Sequence, residues 1–307
     1  MAINEGDNEA TSEIVVARMN FLSRLDLYDT VKPYNFQYYT KESFPRHNIN
    51  LSSHAPIVRS IRSIQPPPSL DVQGFEIGNV KSMMTLDEFW SENAVENVYC
   101  KELQDYLQKL LPGAAYVRAL DYQLRKRDAS YPNFGGKLPP GPQPSFLTHV
   151  DITPTGAKKI VEELYDNEIA TQIMKARYRI ITIWRAIRVP VKDWPLAICD
   201  ASTINPDDLV PADIIYPNWV AENYLTQFNK DQRWYWLPDQ KANEVLVFSA
   251  FDSDKPESSA CPHGAFPLPG NDDAPKRESI DVRLLIMYAD IEYPESEPWS
   301  KEQETRL

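Results

Sequence analysis

The chain has 307 residues, long enough to bury a large core. Lys+Arg 32 against Asp+Glu 44 gives a net charge of -12, which repels phosphate backbones and anionic membrane surfaces. Pro 26 against Gly 10 inverts ordinary usage and argues against a Gly-rich nucleotide-binding design. His 4 leaves few residues to choose from for imidazole chemistry.

Residues 1–13 read as a polar tail and 299–307 as another, which leaves 14–298 as one folded domain. The N-terminus lacks a basic stretch followed by an apolar one, so no secretory signal is expected. No window holds 18 uninterrupted apolar residues. Cys100, Cys199 and Cys261 are too few and too scattered for a disulfide framework, which favours a reducing, cytoplasmic setting.

Residues 64–68, IQPPP, form a stiff connector. A capping box, Thr85-Leu86-Asp87-Glu88, opens a helix that runs, with a break, to Leu111, where Pro112-Gly113 stops it. Residues 114–125 predict a strand. Residues 131–145 carry five prolines and three glycines and predict a loop. Pro154 to Ala176 has helical apolar spacing with proline in its first turn. From Arg177 the texture changes to seven short segments rich in Ile, Val, Trp and Tyr with turn residues between them. That spacing predicts an antiparallel sandwich or barrel. The expected architecture is a mainly β jelly-roll core over roughly 114–293, braced by N-terminal helices.

His47 and His54 lie in PRHNINLSSH, without an acidic or cysteine partner, and read as solvated loop residues. His149 is placed differently, in Phe146-Leu147-Thr148-His149-Val150-Asp151-Ile152. Spacing of two along extended backbone puts His149 and Asp151 on one face. A second histidine from a distant strand would complete the two-His-one-carboxylate triad of non-haem iron(II) oxygenases, and His263 in CPHGAF is the candidate. Three ligands on one face leave three positions for a bidentate co-substrate and O2. Arg283, on the apolar strand that follows, must find an anion or water. It is the expected anchor for the distal carboxylate of 2-oxoglutarate, with Arg277 at the strand entry as the alternative. Trp184 and Arg185 end a strand and are candidate substrate contacts. Trp234-Tyr235-Trp236 reads as sheet packing, and Cys261 as a small core residue.

With these motifs in hand, the sequence resembles the fungal iron(II)/2-oxoglutarate-dependent oxygenases grouped with gibberellin desaturase and cephamycin 7-alpha-methoxylase-related proteins. The resemblance runs from about Tyr116 to Tyr293 and rests on five segments. They are Thr148–Asp151, Trp184-Arg185, Asp193–Asp200, Cys261–Phe266 and Arg277–Arg283. It implies a double-stranded β-helix with His149, Asp151 and His263 as ligands of Fe(2+), and Arg283 as co-substrate anchor. Ala186 stands where the group usually has proline, and Gly264 where threonine is common.

The expected reaction couples oxidative decarboxylation of 2-oxoglutarate by O2 to hydroxylation or desaturation of a small secondary-metabolite intermediate. Asp151 argues against halogenation, which needs that ligand position vacant. Two rival readings stand: a jelly-roll small-molecule binder without catalysis, and an iron oxygenase that does not use 2-oxoglutarate. No nucleic-acid or membrane partner is expected, and a homodimer is left open.

Overall fold

The computed structural model describes residues 14–39, 45–135, 139–271 and 273–294; both expected tails lie outside them. Two facing sheets organise the chain. The larger has nine strands in the order Ile14–Val16, Ile57–Ser60, Trp234–Trp236, Leu196–Cys199, His263–Ala265, His149–Val150, Val220–Thr226, Leu209–Ile215 and Tyr34–Phe36. The smaller has five: Phe75–Asn79, Glu244–Asp252, Tyr178–Ala186, Glu278–Met287 and Tyr116–Lys126. A short ribbon, Met19–Leu22 with Leu51–His54, forms a separate two-stranded sheet that packs against the larger one.

All seven apolar segments after Arg177 contain a strand. The N-terminal third was expected to supply bracing helices, and it supplies mostly strands instead. Six short ones precede the helix Cys100–Leu110, each only three to five residues long. Such short runs carry too little alternation to register as strands by themselves, and their pairing partners lie far along the chain. The helix expected from Thr85 is indeed broken. Glu88 accepts from the Thr85 backbone N–H (2.7 Å) and hydroxyl (2.8 Å), but only a single 3-10 turn follows, and Ser91 caps a second start. The helix expected over 154–176 is two, Pro154–Leu164 and Asn167–Lys175. Asp166 interrupts it by capping the N–H groups of Glu168 and Ile169, which a continuous helix would not leave free.

The smaller sheet is buried on both faces. Ile181, Ile183, Ile280, Val282 and Leu284 pack outward against Leu103 and Leu107 of the helix Cys100–Leu110. Trp184, Leu246 and Phe248 pack inward against Leu196 and Ile198 of the larger sheet. At the other end, Ile180, Leu285 and Met287 meet Val161 and Ile173 of the two later helices. Trp234 and Trp236 are buried sheet residues, as expected. His54 is not a loop residue: it ends a strand and stacks on Phe228 at 4.1 Å.

The helix Cys100–Leu110 supports the strands that face the interior. Replacing its fully buried Leu103 by alanine should lower unfolding free energy by about 2–5 kcal/mol in a denaturant titration.

Candidate metal centre

His149 and His263 are direct partners across two adjacent antiparallel strands, with ring centroids 4.4 Å apart. Asp151 follows two residues after His149, and its Oδ1 lies 3.5 Å from the Nε2 of each histidine. Among the described residues these three form the one cluster of His, Cys, Asp or Glu able to close around an ion, with ligand atoms within 4.8 Å of one another. Each Nδ1 lies by a backbone carbonyl: His149 by Leu147 at 2.8 Å, His263 by Cys261 at 3.2 Å. Donation there fixes a proton on each Nδ1 and turns both Nε2 atoms toward Asp151.

Asp151 is held from behind. Its Oδ2 accepts a hydrogen bond from the hydroxyl of Thr182 at 2.7 Å, leaving Oδ1 toward the histidines. Burial would raise this carboxyl, but the facing His263 charge and the hydrogen bonds from both histidines hold it well below the usual carboxylate range. Burial would likewise lower His263, and Asp151 outweighs it, so the imidazole is raised. A cation binding here would displace the Nε2 protons that these hydrogen bonds use, since imidazole ligates only through a deprotonated nitrogen. Phe248 lies against His263 at 4.7 Å and walls the site with an apolar ring. Gly264 has a reason of its own: a Cβ there would meet the Thr148 methyl at 3.3 Å and its Cα at 3.4 Å across the strand pair.

The two arginines differ in their partners. Arg283 sits on the inward face of Glu278–Met287, yet its guanidinium is forked onto both oxygens of Asp121, with Nε to Oδ1 at 2.7 Å. Arg277 is 3% exposed and makes no side-chain ion pair among the described residues. Its Nε donates to the Ser279 hydroxyl at 3.1 Å and one Nη to the Trp194 carbonyl at 2.8 Å, while its ring-facing side covers Trp184 at 5.1 Å. Trp194 adopts φ +49, an unusual conformation for a bulky residue that costs about 1–3 kcal/mol. Asp193 accepts from the Arg277 backbone N–H at 2.8 Å and from the Arg127 side chain at 2.6 Å, so this neighbouring carboxylate is already engaged. Burial, with Arg125 adding like charge, lowers the Arg277 pKa to about 10.

Of the expected substrate pair, Trp184 faces inward and Arg185 does not. Arg185 points to the opposite face of its strand, where it donates to Tyr99, Ala242 and Val80. Alternation along Tyr178–Ala186 forces this division. Cys261 is fully buried and its thiol is pushed up by burial, which makes it an inert core group. Asp121, Thr182 and Tyr131 escaped the sequence reading, and Asp193 entered it only as part of a diagnostic segment. For Asp121 and Thr182 the signal was a polar side chain within an apolar segment; Tyr131 had none, since it opens the Pro-rich loop.

A family model described as "YDMC: Oxidoreductase/YMDC permease-like domain" matches residues 19–287. No described helix is long and apolar enough to cross a membrane. The Fe(II)/2-oxoglutarate-dependent dioxygenase nvfI of Aspergillus novofumigatus is 30% identical over 281 residues, covering 90% of this chain and 95% of that protein. The chain belongs to the fungal Fe(II)/2-oxoglutarate-dependent dioxygenases. The hydroxylase/desaturase efuI of Hormonema carpetanum is 29% identical over 77% of this chain and 84% of its own. The solved iron and alpha-ketoglutarate-dependent endoperoxidase NvfI superposes with a TM-score of 0.76 at 27% identity, covering 91% of this dioxygenase and all of that chain.

Removing the brace behind Asp151 tests the centre. Thr182→Val should weaken iron(II) affinity about 10–100-fold in a chelator competition, with the fold retained. His263→Ala should abolish specific binding.

Proposed function

We propose that this dioxygenase uses iron(II), 2-oxoglutarate and O2 to oxidise a C–H bond of a small secondary-metabolite intermediate, within a double-stranded β-helix core. The observation that carries the reading is a pairing of two sites. A three-ligand centre is walled by Phe248, which packs in one cluster with Trp184, and Trp184 is covered by the buried Arg277 guanidinium, which has no counter-anion among the described residues. His149, Asp151 and His263 supply the one-face donor set that suits iron(II) with open positions.

The residues present also suit the co-substrate. A buried arginine that lacks a carboxylate is costly, and an entering dianion offsets that cost. Two further groups nearby are short of partners: the buried Tyr131 hydroxyl and the Trp184 indole N–H. Tyr131 lies within electrostatic reach of Arg277, and its ring packs on Trp194 at 4.7 Å. Arg277, with Ser279 beside it, is therefore the better anchor for the distal carboxylate, and Arg283, neutralised by Asp121, is the poorer one. This reverses the preference drawn from strand order alone.

Bound iron(II) would supply the coupling of O2 reduction to oxidative decarboxylation of 2-oxoglutarate, giving succinate, CO2 and an oxidant for the substrate. The chain's own tasks are positional. Thr182 fixes the Asp151 carboxylate, and the Leu147 and Cys261 carbonyls fix both imidazole rings. Arg277 orients the co-substrate by its far end, and Phe248 and Trp184 keep water from the reacting groups. Hydroxylation, desaturation and peroxide formation are outcomes named among the relatives, and which one follows depends on how the substrate lies.

Anaerobic addition of iron(II) and then 2-oxoglutarate should produce a visible metal-to-ligand charge-transfer band. Bound iron without that band would refute use of this co-substrate. Arg277→Gln should raise the half-saturating 2-oxoglutarate concentration about 30-fold or more, since truncating one partner of a buried charge pair costs about 2–5 kcal/mol. Iron affinity should stay within a few-fold. A comparable loss in Arg283→Gln, with Arg277→Gln unaffected, would return the role to Arg283.

A further inference from the structure

The larger sheet is wider than the sheet that faces it. Tyr235, Ile198 and His263 share its inward face through direct cross-strand pairing. Tyr235 packs at 5.8 Å on Phe75, which belongs to the edge strand Phe75–Asn79 of the smaller sheet. The strands Ile57–Ser60 and Ile14–Val16 lie beyond that edge, so their inward face overhangs it. Register maps the overhang row by row. Ile14 lies beside Arg59, and Arg59 beside Tyr235. Val16 lies beside Ile57, whose other neighbour in the same register is Arg233. Arg18 follows on this face, since Val15, Ala17 and Met19 turn the other way into the core.

The face combines two features that seldom occur together on a free surface. Ile14, Val16 and Ile57 are 57%, 61% and 46% exposed. The guanidiniums of Arg18, Arg59 and Arg233 make no hydrogen bond or ion pair with any described residue. Asp200 shares the surroundings of Tyr235 with Arg59 and Arg233, but it is one carboxylate against three guanidiniums, and it accepts from the Ser202 N–H and hydroxyl. This local excess of positive charge sits in a chain of net charge -12.

The outermost strand also offers its backbone. The Ala17 N–H donates to the Pro56 carbonyl (3.1 Å), so by antiparallel alternation Val15 bonds inward to Val58, and the N–H and C=O groups of Ile14 and Val16 point away from the sheet. Edge strands are ordinarily guarded by lysine, proline or a bulge, and Ile14-Val15-Val16 has none of these. A cavity of about 440 Å3 opens beside it, lined by Ile14, Val15, Val16 and Leu268, with Lys192 and Asp239 contributing opposite charges to its wall.

We propose that this overhang is a docking surface for an acidic, extended segment of another protein, which adds as a tenth strand along Ile14–Val16. Its apolar side chains lie against Ile14 and Val16, and its carboxylates reach Arg18 and Arg59. A small dianion would satisfy the arginines and leave the apolar row in water, whereas a purely apolar partner would desolvate the guanidiniums without a counter-charge. A segment that alternates the two meets both needs. Three strands lie between Ile14–Val16 and His263–Ala265, so docking leaves the metal centre untouched.

The test titrates the full chain with fluorescein-labelled heptapeptides, read by anisotropy. The first is Glu-Thr-Val-Thr-Val-Thr-Glu; matched versions replace both Glu by Lys, replace both Val by Ser, or N-methylate both Val. The first should bind about tenfold more tightly than each of the others, and raising salt from about 50 to about 500 mM should weaken it. Arg18→Gln and Arg59→Gln should each weaken it about threefold, and the double variant Arg18→Glu/Arg59→Glu about tenfold or more. Equal binding of the Glu and Lys peptides, undiminished binding to the double variant, or no binding of any peptide at about 1 mM would overturn the proposal. So would a dimer in light scattering that the first peptide fails to dissociate, which would give the edge to a second copy of this chain, or binding to phosphatidylserine vesicles in place of the peptide.

Discussion

Pairing of one residue with one residue organises this protein. His149 lies opposite His263 in a strand pair so short that His149–Val150 contributes only two residues. That single register brings together positions 114 apart in the chain (263 minus 149) and points both imidazoles to one side, where Asp151 follows by strand alternation. A slip of one residue would turn His263 to the opposite face. Pairing of the same two strands with Leu196–Cys199 and Val220–Thr226 sets that register, and the facing sheet is built of longer strands. Glu278–Met287 is paired along its whole length with Tyr116–Lys126 and from Ser279 onward with Tyr178–Ala186, which is buried at every position. Thr182 on the latter strand then reaches across to Asp151, so the smaller sheet holds the carboxylate that the larger sheet's register places.

Between the sheets the charges are sorted by partner. Arg125 with Asp281, Arg283 with Asp121 and Arg127 with Asp193 are closed pairs. Arg277 alone among these four inward arginines has no carboxylate of its own, and the neighbouring Trp194 takes up a strained backbone conformation while its carbonyl accepts from the guanidinium. A site that must bind a dianion and release a smaller one benefits from an arginine held by neutral acceptors, because a resident carboxylate would have to be displaced in every turnover.

The legible parts of the sequence were those where local spacing and tertiary placement agree. The seven strand segments after Arg177 were readable because long buried strands need continuous β-branched and aromatic runs. The helix at Pro154 was readable from its proline and apolar period, but its division at Asp166 was not, because a capping aspartate resembles any exposed acidic residue. The N-terminal strands were missed for want of length. Arg185 seemed as good a pocket residue as Trp184 until strand alternation sent the two side chains to opposite faces. Arg283 outranked Arg277 only while Asp121 had no known position.

The sequence alone determined the types and spacing of the proposed ligands. His149-x-Asp151 on extended backbone and a distal histidine suffice for that, because alternation with period two is a local property of the chain. Tertiary structure decided everything that depends on which charge finds which. Asp121 and Arg283 are 162 residues apart, and their contact, together with the lack of one at Arg277, exists only once the last strand lies beside Tyr116–Lys126. Ion pairing in a dry interior acts through distance in space, and four scattered arginines in a linear sequence carry no mark of which will be left without an anion.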